Sequence, residues 1–584
     1  MQTQKGNNMN YRFENGAIVV EAKWYEKVQY DMSNAVLSAT LNGMGGFLDY
    51  RIINDDQHYM PQFLGITYNG VKQSVFMDKK VTMQGRRQTI EVNLEPAVLK
   101  LEYFLDEKVN GIFMSYALIS DRADDTLKMN LTYFPGYLEN CKYAFTGDCE
   151  YIWDSRNLTI NLSQANPVAK VFVHRGMADL SAEELVAKYD EYRDALEAEI
   201  AGIRVPAGLT EEEKALFFST YYCSLENYKE LGEYRGFMAG CRYLSPMRTY
   251  YRDSYFTILP MYNGQLDKVR SQIYVLAKGI SADGTCPSAV RWDWSKWWGN
   301  HYDSPSFLAM MLYDYIHFTG DVAYADVSVG EATIFEQVIR AIEKLAESTD
   351  ETGLLVKPGR FNKQDWADEV CRYGYVTYDI ILFARALYCI AMVCKLRGEN
   401  ELSASYMARY EKVRKAMDDI LWDDELGYYV NYKNEDYTET NLSIDTVFAA
   451  IFDIADEAHA KSMLQRMEQM LESQNNGTPD PYGAMCVYPF YTDVEATCRK
   501  SSQAYNYHNG GNWPYLTAMY AHAKRKFGME YKYLLTGWFT YNLNNGNFTP
   551  IEYFSSYCDD GSLLQAWSGD TAFVLDEELS KNFW

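Results

Sequence analysis

Two different spacings of apolar residues divide this chain. From about residue 17 to 175, apolar positions recur every second residue in short segments such as AIVVEAKW (17–24), AVLSATL (35–41), TIEVNLE (89–95), LKLEYFL (99–105), IFMSYALI (112–119), LTINLS (158–163) and AKVFVH (169–174). The segments are rich in β-branched and aromatic residues and are separated by NG, DR and GD turn signals. That pattern predicts strands, and many of them in succession predict an antiparallel β-sandwich. The glycine-rich NGMGGF (42–47) lacks the strand-GxGxxG-helix setting of a nucleotide site and reads as a turn.

A charged helix is predicted over LSAEELVAKYDEYRDALEAEIAGI (180–203), followed by a Pro and Gly break and a Thr/Glu capping box in RVPAGLTEEEKA. After residue 210 the spacing becomes helical. Almost wholly apolar segments, such as SPSFLAMMLYDYIHFTGD (304–321) and VTYDIILFARALYCIAMVCKLRGE (376–399), are followed by more charged ones, such as IFEQVIRAIEKLAEST (334–349) and SYMARYEKVRKAMDDIL (405–421). Inner and outer helices of a double-layered α/α barrel alternate in this way. The expected organisation is multidomain β plus α, with a β-sandwich domain over 1–179, a helical linker over 180–208 and a helical barrel over 209–584.

Charge removes several functions from consideration. Against 55 Lys plus Arg stand 80 Asp plus Glu, a net charge of −25, which opposes binding to nucleic-acid phosphates or anionic lipid. Eleven cysteines, an odd number without a CxxC pair, suit buried reduced thiols better than a disulfide framework or zinc site. The opening MQTQKGNNMNYRFENG has no apolar core of a signal peptide, and no stretch reaches the roughly 18 apolar residues a membrane span needs. A cytoplasmic protein is expected, without nucleic-acid or membrane partners.

The 50 Tyr, 27 Phe and 12 Trp point towards sugars, because many stand beside Asp, Asn, Gly or Arg rather than inside purely apolar runs. Pyranose rings pack C–H faces on aromatics and need oriented polar partners for their hydroxyls. Five loop clusters concentrate this mixture. MRTYYRDSYF (247–256) places Arg252 and Asp253 at a helix start, where they can hold sugar hydroxyls or form a structural cap. The segment 282–305 gathers Trp292, Trp294, Trp297 and Trp298 around Asp293, then Asn300, His301, Tyr302 and Asp303. Rings at that spacing cannot all point inward from one regular helix, so some are expected to line a cleft.

The segment KPGRFNKQDWADEVCRYGY carries Asp365, Trp366, Asp368 and Glu369 before an apolar helix. A carboxyl beside an aromatic in a cleft can have its pKa raised by desolvation, as a general acid requires, although helix capping accounts for such residues equally well. QAYNYHNGGNWPYLTAMYAHA (503–523) offers His508, Asn509, Trp513 and two glycines that permit a tight turn near a ligand. No serine nucleophile accompanies His508, so orientation or substrate binding is expected of it. FTPIEYFSSYCDDGSLLQAWSGDTAFV (548–574) sets Glu552 between Ile551 and Tyr553, where a carboxylate can activate water if its pKa stays low.

On these motifs the chain resembles the (α/α)6-barrel glycoside hydrolases and phosphorylases, the group of trehalases, neutral invertases, processing α-glucosidases and cellobiose-type phosphorylases. HNGGNWP (508–514) is very close to the HNGGxWP element of neutral invertases, and PIEYF (550–554) with LLQAWS (563–568) is similar to their later Glu-bearing segment. DWAD (365–368) resembles the DWND element of the phosphorylases and, more loosely, the SGWD element of trehalase-like enzymes. The resemblance spans about residues 210–575. Residue 367 is Ala where the phosphorylases have Asn, and EVCRYGY after Asp368 matches none of the families closely.

The resemblance implies a C-terminal (α/α)6 barrel behind an N-terminal β-sandwich. It implies Asp368 as general acid, Glu552 as general base, and Arg252 and Asp253 as ligands of the reacting sugar. Trp298, His301, Trp366, His508, Asn509 and Trp513 are expected to shape the subsite. The expected activity is inverting, exo-acting hydrolysis of an oligosaccharide or small glycoside, with the two carboxyl groups about 6.5–9.5 Å apart to admit a water. Protonation and water activation require neither metal nor cofactor. The alternatives are a glycoside phosphorylase, in which phosphate replaces the water and a basic pocket is needed, a non-catalytic glycan-binding protein, and a sugar epimerase or lyase that would rely on paired histidines. Asp365, three residues before Asp368, competes for the role of the acid.

Overall fold

The computed structural model describes residues 9–55, 62–74, 77–133, 141–146, 150–153, 157–175, 181–241, 243–299, 301–359, 364–475, 482–493, 495–555 and 561–584. The chain forms two compact units, one of Met1–Leu231, Gly240–Met247 and Phe539–Pro550, the other of Gly232–Ala239, Arg248–Trp538 and Ile551–Trp584.

The first unit is rich in antiparallel sheet. An eight-stranded sheet runs, in spatial order, through Tyr11–Glu14, Ala17–Ala22, Lys79–Gln84, Arg87–Asn93, Val98–Phe104, Ile112–Ile119, Val168–Arg175 and Cys141–Thr146. A five-stranded sheet has the order Glu150–Trp153, Asn157–Ser163, Thr126–Tyr133, Gln62–Tyr68, Val71–Lys72, and a three-stranded one joins Gln29–Ser33, Leu37–Asn42 and Phe47–Ile52. The period-two pattern sets the register. Leu101 lies opposite both Ile90 and Tyr116, and all three are fully buried, as alternate side chains on one face of a strand must be when that face is covered.

NGMGGF forms the turn between the last two strands of the three-stranded sheet. Asn42 Oδ1 accepts the N–H groups of Met44 and Gly46 at 2.8 and 3.0 Å, and Gly45 sits at φ +73°. The charged stretch after residue 180 forms helices Ala182–Ala187 and Tyr189–Gly202, which bury Leu185, Val186, Tyr189 and Leu196 against Phe104, Phe113 and Phe172. Thr210 and Glu213 close the capping box ahead of helix Glu211–Leu225, each side chain bonding the other's backbone N–H at 3.2 and 2.8 Å.

The second unit is helical. Ser304–Thr319 and Thr377–Leu396 are buried along almost their whole lengths, whereas Ile334–Ala346 and Asn400–Leu421, which follow them, bury one face. The apolar stretch 252–280 does not form one continuous helix. Tyr251–Ile258 tightens into a 3-10 turn at Leu259–Tyr262, and a new helix starts at Leu266. Pro260 lacks the N–H that would continue the ladder, and Gly264 takes φ +89°, so the chain turns there. Among the described residues no helix is long and apolar enough to cross a membrane, and no disulfide forms.

Candidate active site

Several loops that precede the buried helices converge on one set of carboxylates. The first is built from the start of helix Tyr251–Ile258 and the residue before helix Ser304–Thr319. Arg252 Nη1 lies 2.8 Å from Asp303 Oδ2, and the other oxygen of that carboxylate, Oδ1, is 2.6 Å from His301 Nδ1. Burial pushes the Asp303 carboxyl up, but Arg252 and His301 outweigh it and bring it down to about 2. Asp303 is therefore an anion that orients two predicted binding residues. Asp253, next to Arg252, is buried, and burial together with the charges of Asp303 and Asp368 carries its carboxyl up to about 6 despite Arg252.

DWAD separates its two aspartates completely. Asp365 is gripped by Lys357 Nζ at 2.5 Å and by Arg372 Nη2 at 2.8 Å, and its Oδ1 accepts the Ala367 N–H at 2.8 Å. The two cations overcome burial and hold the Asp365 carboxyl far below the usual carboxylate range. A group so firmly ionised has no proton to donate at neutral pH. The network continues outward: Lys357 reaches Asp379 Oδ2 at 2.7 Å, and Arg372 Nη1 reaches Asp445 Oδ2 at 2.7 Å, the same oxygen that accepts Trp366 Nε1–H at 2.5 Å. All of these side chains are buried. The loop is thus anchored through Asp365 and Trp366, while the Asp368 side chain keeps 23% of its surface exposed.

HNGGNWP packs against this loop. Gly510 takes φ +97°, and a Cβ there would lie 2.4 Å from the Phe490 ring; one on Gly511 would lie 2.5 Å from the Tyr507 carbonyl oxygen. The glycines are thus required by close approach and, at Gly510, by the left-handed backbone. His508 stacks on Trp513 with centroids 5.1 Å apart and planes 7° apart, and meets the Trp366 ring edge-on at 5.0 Å. Its Nδ1 accepts the Glu369 N–H at 3.3 Å and lies 3.7 Å from Asp368 Oδ1. Burial, reinforced by Arg252, Arg372 and Lys500, pushes the imidazole well below its usual range in spite of Asp365. His508 is therefore neutral, and its closeness to Asp368 is not an ion pair.

Glu552 comes from the segment after Pro550. Its N–H donates to the Ser562 carbonyl at 2.8 Å, and its Oε2 accepts the Ser562 N–H at 3.1 Å. Gly561 permits this pairing, since a Cβ there would come within 2.5 Å of Glu552 Cβ. Burial raises the Glu552 carboxyl to about 7; the Ser562 N–H and Lys500 oppose the rise, and the charges of Asp368 and Asp253 add to it. Those two influences place Asp253, Asp368 and Glu552 in one electrostatic cluster. Among the described residues no group of His, Cys, Asp and Glu is arranged to hold a metal ion.

The predicted aromatics fall into two kinds. Trp366 and Trp513 are buried, and Trp513 stacks on both His508 and Tyr553, so both form the wall behind the carboxylates. Asn509 clamps the backbone of Tyr491, its Oδ1 accepting the N–H at 2.8 Å and its Nδ2 donating to the carbonyl at 3.3 Å. Trp298 differs: it is 38% exposed at φ +47° and tilts against Trp297 with centroids 5.7 Å apart. Asn300 lies outside the described residues. Asp303, Lys357, Arg372 and Asp445 carry no local signal of a role, because an acid before a helix reads as a cap and the partners lie up to 79 residues away.

A family model described as Trehalase matches residues 375–489, which include Asp379 and Asp445 and lie between Asp368 and Glu552. An uncharacterized protein of Borreliella burgdorferi (strain ATCC 35210 / DSM 4680 / CIP 102532 / B31) is 27% identical over 101 residues, 17% of this chain and only 20% of that protein's length. Among solved structures, a bacterial glucoamylase complexed with acarbose aligns with a TM-score of 0.60 at 12% identity, covering 100% of this chain and 96% of that one. The rhamnosidase from Klebsiella oxytoca with rhamnose bound aligns at 0.50 and 14% identity over 78% of this chain and 88% of that one. The GH78 family rhamnosidase of Bacillus sp. GL1 aligns at 0.50 and 15% identity, over 79% of this chain and 47% of that one. The trehalase-like match is thus confined to residues 375–489, and the fold as a whole is similar to those of the glucoamylase and rhamnosidase structures.

Proposed function

We propose that the protein is an inverting glycoside hydrolase built from an N-terminal β-sandwich and a C-terminal (α/α)6 barrel, with Asp368 as general acid and Glu552 as general base. In this reading Asp368 protonates the glycosidic oxygen while Glu552 takes a proton from a water that attacks the anomeric carbon from the opposite face. Arg252, oriented by Asp303, and Asp253 hold hydroxyls of the reacting sugar, and exposed Trp298 offers a ring to an adjoining sugar. Trp366, His508, Asn509 and Trp513 shape the subsite from behind.

The observation that carries this reading is the unlike treatment of the carboxyls. Asp365 is locked as an anion by Lys357 and Arg372. Glu552 is buried beside Asp368 and Asp253 with its carboxyl poised at about 7, where a general base works best near neutrality. A neutral His508 leaves Asp368 facing no imidazolium.

The test is a screen of short α- and β-linked oligosaccharides and aryl glycosides for released reducing sugar, with and without phosphate, followed by NMR of the first anomer formed. Inversion without phosphate dependence is expected. A requirement for phosphate, or retention of configuration, would overturn the assignment.

A further inference from the structure

The cations inside the site are occupied by carboxylates: Arg252 by Asp303, Arg372 by Asp365 and Asp445, and Lys357 by Asp365 and Asp379. Lys500 stands apart. It lies on the 3-10 turn Arg499–Ser502, is exposed, and among the described residues has no carboxylate within ion-pair distance. Its Nζ donates to Tyr553 Oη at 3.0 Å and sits over the rings of Tyr507 and Tyr553 at 5.2 and 5.1 Å from their centroids. An ammonium has three N–H donors, so this contact leaves two for a ligand.

The turn that carries it is fixed to the site. The Ser501 N–H donates to Glu369 Oε2 at 3.1 Å and its Oγ to the same oxygen at 3.3 Å, while Oγ accepts the His508 N–H at 3.2 Å. Arg499, also exposed, adopts φ +50°, an uncommon conformation for a non-glycine residue that the pinned turn imposes. Lys500 is thereby held at the solvent edge of the aromatic wall, against Tyr553 of the Glu552 segment and Tyr507 of the His508 loop, with the exposed Arg499 as its neighbour in the chain.

We infer that Lys500, with Arg499 beside it, forms an oxyanion subsite that recognises a phosphate, sulfate or carboxylate group carried by the leaving portion of the substrate. This rests on the glycosidase reading above. A chain of net charge −25 with an interior cluster of Asp253, Asp368 and Glu552 repels an anionic ligand over most of its surface. A cation at one edge therefore admits such a ligand in one orientation, with its charged end on Lys500 and its uncharged sugar towards the carboxylates. A lysine serves a tetrahedral or planar oxyanion as a point charge.

The experiment compares wild type, Lys500→Met, Lys500→Arg and the distant control Lys461→Met on matched glycosides whose leaving sugar is neutral, 6-phosphorylated, sulfated or a uronate. The wild type is expected to prefer an anionic member. Lys500→Met should lose about tenfold more in kcat/KM on that member than on the neutral one, whose own loss reports the effect of Lys500 on Glu552, and Lys500→Arg should retain most of the preference. Equal losses on both members would overturn the proposal and make Lys500 a residue that acts only on Glu552; a wild-type preference for neutral substrates would also overturn it.

Calorimetric titration of wild type and Lys500→Met with glucose 6-phosphate, glucuronate, glucose and inorganic phosphate separates this from the glycosidase reading. If no glycoside is cleaved, that reading fails, while loss of glucose 6-phosphate or glucuronate binding in Lys500→Met still upholds the subsite. Binding of inorganic phosphate alone, coupled to phosphate-dependent cleavage, would overturn the assignment to a substrate substituent.

Discussion

Arg252 and Asp303 form a buried ion pair, Nη1 to Oδ2 at 2.8 Å, whose carboxylate also holds His301. The pair fixes the guanidinium at the start of helix Tyr251–Ile258, beside Asp253. Replacing Asp303 with Asn leaves Arg252 buried without its counter-charge, a change that costs on the order of 3–5 kcal/mol. Urea unfolding at pH 7 should show that loss, and kcat/KM should fall far more than it does for exposed carboxylate variants. Because Asp303 sits at about 2 against an ordinary 3.8, its contribution is fully present above pH 4 and is lost as pH falls through about 2.

The two aspartates of DWAD should fail in opposite ways. Asp368→Asn is expected to abolish glycoside cleavage, by at least about a thousandfold, with unfolding midpoints close to wild type. Asp365→Asn leaves Lys357 with Asp379 alone and Arg372 with Asp445 alone, and should lower stability by about 1–3 kcal/mol, with any activity loss tracking the unfolded fraction. Parallel denaturation and activity measurements on the two variants distinguish these outcomes.

Glu552 places function against stability. Its folded carboxyl, at about 7, lies above the ordinary 4.5, so the folded state favours the proton and stability declines as pH rises from about 4.5 through 7. Glu552→Gln removes that ionisation cost. It should raise the melting temperature at pH 8, by up to about 3 kcal/mol of stabilisation, and have little effect at pH 4. In the active enzyme, kcat/KM should rise with pH through about 7 as the base ionises, and this limb should vanish in Glu552→Gln.

Gly511→Ala tests the HNGG turn. The added methyl would meet the Tyr507 carbonyl oxygen, a backbone atom that cannot swing aside. A loss of about 1–3 kcal/mol is expected, together with weaker activity because His508 and Trp513 ride on this turn. Thermal melts and kinetics on the same preparation check both effects.

Much of this protein was legible in its sequence because the signals are local. Strands Asn157–Ser163 and Arg87–Asn93 follow directly from alternation, and Thr210 with Glu213 announces its helix by chemistry three residues apart. The polar strand Gln29–Ser33 escaped notice because its order comes from pairing with Leu37–Asn42 rather than from its own composition. Aromatic abundance foretold a cluster but not which rings face outward: Trp513 and Trp366 are walled in, whereas Trp298 stays exposed.

By itself the sequence determined the two classes of secondary structure, the turns that demand glycine, and the short motifs that bring Asp368, His508 and Glu552 under suspicion, since all of these depend on residues within about one turn of each other. Only the tertiary structure decided what surrounds each acid. Asp365 and Asp368 are three residues apart in the same motif, yet one is clasped by Lys357 and Arg372 while the other is partly exposed beside a neutral imidazole. The state of a carboxyl is set by the charges and solvent around it, and here those come from parts of the chain brought together by folding.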